Sequence, residues 1–139
     1  MIIAVETSIL VAAVVATAAY HAACDRLLDQ PEVTMYSHGL TEAFSTLTGG
    51  RKNFRLQASL VSSLLEEDYL PQISITSLTP NEILKAMAEA EGRGVRGGGI
   101  FDFLHLVAAR KAKAGKFYTL NTAHFLAFHR AGDPVIAHP

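Results

Sequence analysis

Short β-rich runs alternate with helical stretches along the whole chain, and no two runs are separated by a hairpin-length connection. That alternation constrains the fold more than any other feature. Strands joined only through helices pair in parallel, and a parallel sheet must be covered on both faces. The runs are Ile2–Val5, Val33–Tyr36, Ile73–Ile75, Lys116–Leu120 and Pro134–Ala137. Between them the chain reads as helix. An alanine-rich stretch runs from Val11 to Leu28, and Leu40, Ala43, Phe44 and Leu47 recur at helical spacing before Gly49-Gly50. Leu60, Val61, Leu64 and Leu65 mark a further helix ending near Pro71. Thr79-Pro80-Asn81-Glu82 is a capping box with proline at the first helical position, and Ile83, Leu84, Met87 and Ala90 supply that helix with an apolar face. A glycine-rich segment, Gly92 to Gly99, precedes a helix from about Ile100 that turns Phe101, Leu104, Val107 and Ala108 to one side, and Thr122–Ala131 reads as a last short helix. The length of 139 residues, without repeat or linker, fits one domain over 1–139.

The first 24 residues carry one charge, Glu6. The uncharged stretch Thr7–Tyr20 is shorter than the roughly 20 apolar residues of a spanning helix. No Lys or Arg precedes Arg26, so the positive start of a signal peptide is missing. The expectation is a buried strand and buried helix, with no membrane partner. The lone cysteine, Cys24, excludes an internal disulfide and a multi-cysteine zinc site, and points to a reduced, cytoplasmic setting.

Most of the thirteen acids have a neighbouring cation on the same helix or sit in turns, where solvation accounts for them. Glu82 and Glu89 flank Lys85, Asp29 follows Arg26, and Glu32 and Asp133 adjoin prolines. Three acids differ. Glu6 ends the first strand, Glu42 stands early in the helix after the second, and Asp102 opens the helix leading to the fourth. None has a cation nearby in sequence, and an unpaired buried carboxylate is costly. In a parallel sheet ligands gather beyond the carboxyl ends of the strands. Hard oxygen donors converging there suit Mg²⁺ or Mn²⁺ and not zinc. The bland role for Glu42 and Asp102 is to complement the positive ends of their helices. Among the histidines, His105 lies three residues from Asp102 and His124 three from Asn121, both weaker ligand candidates; His21, His38, His129 and His138 form no pattern. No Gly-x-Ser-x-Gly elbow and no phosphate-binding glycine loop is present.

Val5-Glu6-Thr7-Ser8-Ile9-Leu10 resembles the opening motif of the PIN-domain nucleases. Leu40-Thr41-Glu42-Ala43, with Leu47 downstream, resembles their second acidic motif. Gly98-Gly99-Ile100-Phe101-Asp102 resembles the third, and Tyr118-Thr119-Leu120-Asn121, with Phe125, the fourth. The four fall in order over nearly the whole chain and are most similar to those of VapC-like toxins of bacterial toxin–antitoxin pairs. The resemblance implies an α/β, PIN-like domain with a five-stranded parallel sheet of order 3-2-1-4-5. It implies a metal-dependent endoribonuclease in which Glu6, Glu42 and Asp102 hold Mg²⁺ or Mn²⁺, with Asn121 at the fourth catalytic position. Ser8 and Thr119 would orient these acids or a water. It also implies an RNA substrate, a homodimer and a small cognate antitoxin. The sequence departs from the motif at Glu6, where an Asp is usual; the added methylene implies reduced activity, natural or engineered.

The net charge of −1 excludes indiscriminate nucleic-acid binding. Locally the balance differs: Arg93, Arg96, Arg110, Lys111, Lys113 and Lys116 face Asp102 alone between residues 93 and 116. Arg93 and Arg96, on the approach to Asp102, are the expected substrate-binding pair, and Arg51, Lys52 and Arg55 form a second cluster. Two other readings stay open. One is a catalytically inactive PIN-like module that binds an antitoxin or RNA. The other is a metal-dependent DNA nuclease or phosphatase using the same acids.

Overall fold

In the computed structural model, which describes residues 1–50 and 55–139, five strands form one all-parallel sheet in the order β3-β2-β1-β4-β5. The strands are β1 (Ile3–Val5), β2 (Val33–Tyr36), β3 (Ile73–Thr76), β4 (Lys116–Tyr118) and β5 (Val135–Ala137). The sheet and its order are those expected. β1 is central: Val5 lies opposite Met35 on one side and Tyr118 on the other. The residue after β1 therefore emerges in the middle of the sheet's carboxyl edge. Alternation along β1 divides its side chains between two cores. Ile3 and Val5 join Ile9, Leu10, Leu28, Met35, Leu47 and Val61 on one face, and Ala4 joins Phe103, Leu106, Phe117 and Phe125 on the other.

The first core is covered by α1 (Thr7–Val14), α2 (His21–Leu28), α3 (His38–Gly49) and α4 (Ala58–Leu64), the last running into a π-type turn over Leu65–Tyr69. The second is covered chiefly by α6 (Gly99–Lys111) and α7 (Thr122–Leu126), with α5 (Pro80–Ala90) packed on α6. No helix among the described residues is long and apolar enough to cross a membrane.

Several helices depart from expectation. The stretch Val11–Leu28 is two helices, because Val15 turns extended after the β-branched pair Val14-Val15 and Tyr20 takes a left-handed φ of 63° before α2. α1 begins at Thr7, straight after β1, which leaves Glu6 at the junction. α7 stops at Leu126, short of Ala131. On α5 the buried residue is Ala86, while Leu84 and Met87 point to solvent. On α6 Phe101 does not join Leu104 and Val107 in the core; it is 52% exposed. The α5 capping box is formed as expected: Thr79 Oγ1 accepts from the Glu82 amide and Glu82 accepts from the Thr79 amide.

Candidate active site

Glu6 occupies the N-cap position of α1 but does not cap it. Its carboxylate is turned toward β4. Oε2 accepts hydrogen bonds from Ser8 Oγ at 2.5 Å and from Thr119 Oγ1 at 2.8 Å, and the residue is 6% exposed. The two hydroxyls are themselves held. Ser8 Oγ accepts from the Leu120 amide and Thr119 Oγ1 from the Asn121 amide, each at 3.0 Å. One oxygen of Glu6 thus pins the start of α1 to the segment after β4. No group among the described residues donates to the other oxygen, Oε1. Ser8 and Thr119, expected as orienting residues, both donate to Glu6. Asn121 joins through its backbone, at the N-cap of α7.

Glu42 lies across a cleft of about 440 Å³ that it lines together with Glu6, Thr7, Ser8, Thr46 and Leu120. It stands beyond the first turn of α3, so complementing the helix end does not explain it. Its partner is His105, whose Nε2 donates to Glu42 Oε1 at 2.6 Å, with Thr7 Oγ1 3.5 Å from the same nitrogen. The His105 side chain is fully buried and its Nδ1 has no hydrogen-bond partner among the described residues. With a carboxylate facing Nε2 and nothing facing Nδ1, the hydrogen belongs on Nε2. Burial raises the Tyr36 hydroxyl above its ordinary pKa, and the nearby Glu42 charge adds to that rise.

Asp102, in the first turn of α6, does not line that cleft. Its Oδ2 lies 2.7 Å from His124 Nε2 of α7. Each of these two acids therefore faces a histidine. Among the described residues no three His, Cys, Asp or Glu side chains are grouped so as to hold a metal ion as they stand. The donor set still fits a hard divalent cation: Glu6 keeps a free oxygen in a nearly buried position, and Glu42 shares its cleft. Asp102, paired with His124, lies outside the cleft that these two line. Spacing had suggested His105 and His124 as ligands; the structure makes them partners of carboxylates instead. The i, i+3 separation of Asp102 and His105 carried the signal, but it concerned a shared helix face and not a shared partner.

Three of the six cations of the basic strip are engaged in ion pairs within the fold. Arg93, expected to bind substrate, is instead engaged within the fold: it binds Asp133, Glu89 and the Phe128 carbonyl, and its guanidinium lies over the Phe103 ring at 5.2 Å. Arg110 bonds to Glu89 twice at 3.2 Å and reaches Asp133 at 3.6 Å. Lys111 pairs with Glu82. Asp133, expected in a solvated turn, has a side chain only 1% exposed, because two arginines compensate its burial. Arg96 is exposed and has no ion pair among the described residues. Of the second cluster, Arg55 donates to the Gly50 carbonyl, while Arg51 and Lys52 lie outside the described residues.

The PIN domain family model matches residues 3–131. The ribonuclease VapC27 of Mycobacterium tuberculosis is 29% identical over 112 residues, covering 81% of this chain and 80% of that protein. Among solved structures, the M. tuberculosis sarcin–ricin loop cleaving toxin VapC20 superposes with a TM-score of 0.70 at 20% identity, over 95% of this chain and 99% of that one. VapBC2 of Rickettsia felis, solved bound to a DNA fragment from its promoter, gives 0.69 at 19% identity over 100% and 99% of the two chains. These likenesses are in fold.

Proposed function

Because the chain belongs to the PIN-domain family, we propose that it is a divalent-metal-dependent endoribonuclease and the toxin of a toxin–antitoxin pair. The observation that carries this reading is the Glu6 carboxylate. It sits at the carboxyl end of the central strand, nearly buried, with two hydroxyls on one oxygen and Glu42 across the same cleft. Among the described residues no cation faces this carboxylate, and its second oxygen has no protein donor. The relative VapC27 is a ribonuclease, which supports RNA as substrate.

In this reading Glu6 and Glu42 hold the cation and Asp102 completes the set. When bound, Mg²⁺ or Mn²⁺ supplies Lewis acidity to a phosphoryl oxygen and lowers the pKa of a coordinated water. The chain's own residues do the rest. Ser8 and Thr119 hold Glu6 in one rotamer, and His105 holds Glu42. Asn121, which follows Leu120 of the cleft lining, takes the fourth catalytic position. The partners are an RNA strand, a small antitoxin protein and a second copy of the chain, and the setting is cytoplasmic.

The test is cleavage of RNA with added Mg²⁺ or Mn²⁺ beside Asp102→Asn. Cleavage that needs the metal and falls in the variant is expected; cleavage unchanged in the variant means the site lies elsewhere. The second reading, an inactive binding module, is favoured by one observation: Glu42 and Asp102 already have histidine partners. Absence of metal binding by calorimetry, with RNA or antitoxin binding retained, would establish it. The extra methylene of Glu6 bears on rate. Attenuation predicts that Glu6→Asp cleaves faster, by up to about 10²-fold, the scale of a misplacement near 1 Å; equal rates overturn it.

A further inference from the structure

Beside the acidic cleft stands a row of aromatic rings that the nuclease reading leaves unused. Phe101 immediately precedes Asp102 on α6, and half of it is open to solvent. Its ring is stacked on His38, at the start of α3, with centroids 5.8 Å apart and planes 18° from parallel. His38 lies 6.2 Å from the buried Tyr36, whose ring meets His105 edge-on at 5.4 Å. The row thus runs from the histidine that holds Glu42 outward to an exposed, flat face.

An exposed phenylalanine normally loses by staying in water. Here the stack on His38 fixes its orientation, so the outer ring face is presented and not merely left over. Next to it, His38 and Glu42 together line a second hollow of about 400 Å³ with the hydroxyl-bearing Thr41 and Ser45. A flat face, adjacent hydroxyls and a carboxylate site one helical turn away have a natural common occupant. We propose that the His38–Phe101 pair is a stacking platform for one unpaired nucleobase of the RNA strand, next to the phosphate being cut. The base extends the row by one layer, and Thr41 and Ser45 offer hydrogen bonds to its edge. Every base has a π-face, so the platform selects single-stranded over duplex RNA and leaves choice of base to the hydroxyls. The inference rests on the nuclease reading for the nature of its strand, and on the stacked geometry for the platform itself.

The chain contains no tryptophan, which gives a clean probe. Phe101→Trp places a sole indole on the platform. Its fluorescence, read in EDTA so that the strand is not consumed, is expected to be quenched saturably by a single-stranded RNA oligonucleotide. The same strand annealed to its complement should quench little. Phe101→Leu keeps the apolar bulk and loses the π-face; its KM for single-stranded RNA should rise about 10-fold, the scale of one lost stacking contact, with kcat little changed. If the wild-type chain cleaves RNA while the indole is unquenched and the leucine variant keeps its KM, the platform is wrong and the nuclease reading stands. If no RNA is cleaved but the indole is quenched by single strands alone, the platform stands and the nuclease reading falls. If Phe101→Leu instead converts a dimer to a monomer in sedimentation with RNA affinity intact, the face belongs to a protein contact and the proposal is overturned.

Discussion

Thr119 shows how one hydroxyl ties fold to site. It is fully buried, donates to Glu6 and accepts from the Asn121 amide. Valine has the same shape without the hydroxyl, so Thr119→Val leaves a carboxylate oxygen short of a donor and an amide without an acceptor. Unfolding in urea is expected to show a loss of about 2 kcal/mol, the scale of leaving buried polar groups unsatisfied. His105 makes the parallel case for Glu42. His105→Leu keeps bulk in a sealed site but frees Glu42 from its donor, and kcat should fall about 10²-fold with KM little changed, since a misplaced group costs rate before binding. His105→Gln, which still presents an N–H, should recover part of the loss in single-turnover cleavage. A leucine variant with unchanged kcat would show that His105 only fills space.

At the scale of elements, α5 offers a readout that is independent of the site. The Lys111 ammonium bonds to Glu82 at 2.8 Å, and the Thr79 amide bonds to the same oxygen at 2.8 Å. These bonds lower the Glu82 pKa from 4.5 to about 2, the Lys111 bond contributing most. A carboxylate with a depressed folded-state pKa stabilises fully above its unfolded value and loses that contribution as pH falls through the folded one. The contribution should therefore fade between about pH 4.5 and pH 2. Melting temperature followed across that window should fall less steeply in Glu82→Gln than in the wild type, and identical slopes would deny the cap its role. This box was legible because its residues are four neighbours in sequence. The strands were legible for a related reason: each is a short apolar run between helix signals. The failures are at faces and ends. Phe101 and Leu84 fit the helical period of their apolar neighbours, yet periodicity counts residues and cannot see where a neighbouring helix stops covering them. The break between α1 and α2 lies in an alanine-rich run that lacks Gly and Pro, and the β-branched pair Val14-Val15 is too weak a breaker to mark it in sequence.

Across the whole molecule, what sequence could not supply was pairing at long range. Glu6, Glu42 and Asp102 stood out because no cation adjoins them in the chain; the histidines that meet Glu42 and Asp102 come from other helices. The same blindness made the cations between residues 93 and 116 look like one strip. Space divides them. Arg93 and Arg110 close on Asp133 and brace the α5–α6 approach against the loop before β5, whereas Arg96 stays exposed. Two charge reversals therefore should part company. Arg93→Glu puts a third acid beside Glu89 and the buried Asp133 and breaks a buried pair, a change that costs about 3–5 kcal/mol, so its signature is an early urea midpoint. Arg96→Glu should leave that midpoint in place. If Arg96 neutralises one phosphate of the strand, the reversal weakens RNA binding and flattens the slope of log K against log salt by about 0.7, the single-strand value per contact. Titrations at several salt concentrations, with stability measured on the same preparations, separate the two arginines. An Arg96 variant with the wild-type slope would remove Arg96 from the RNA path and leave the local excess of positive charge as a solvated surface.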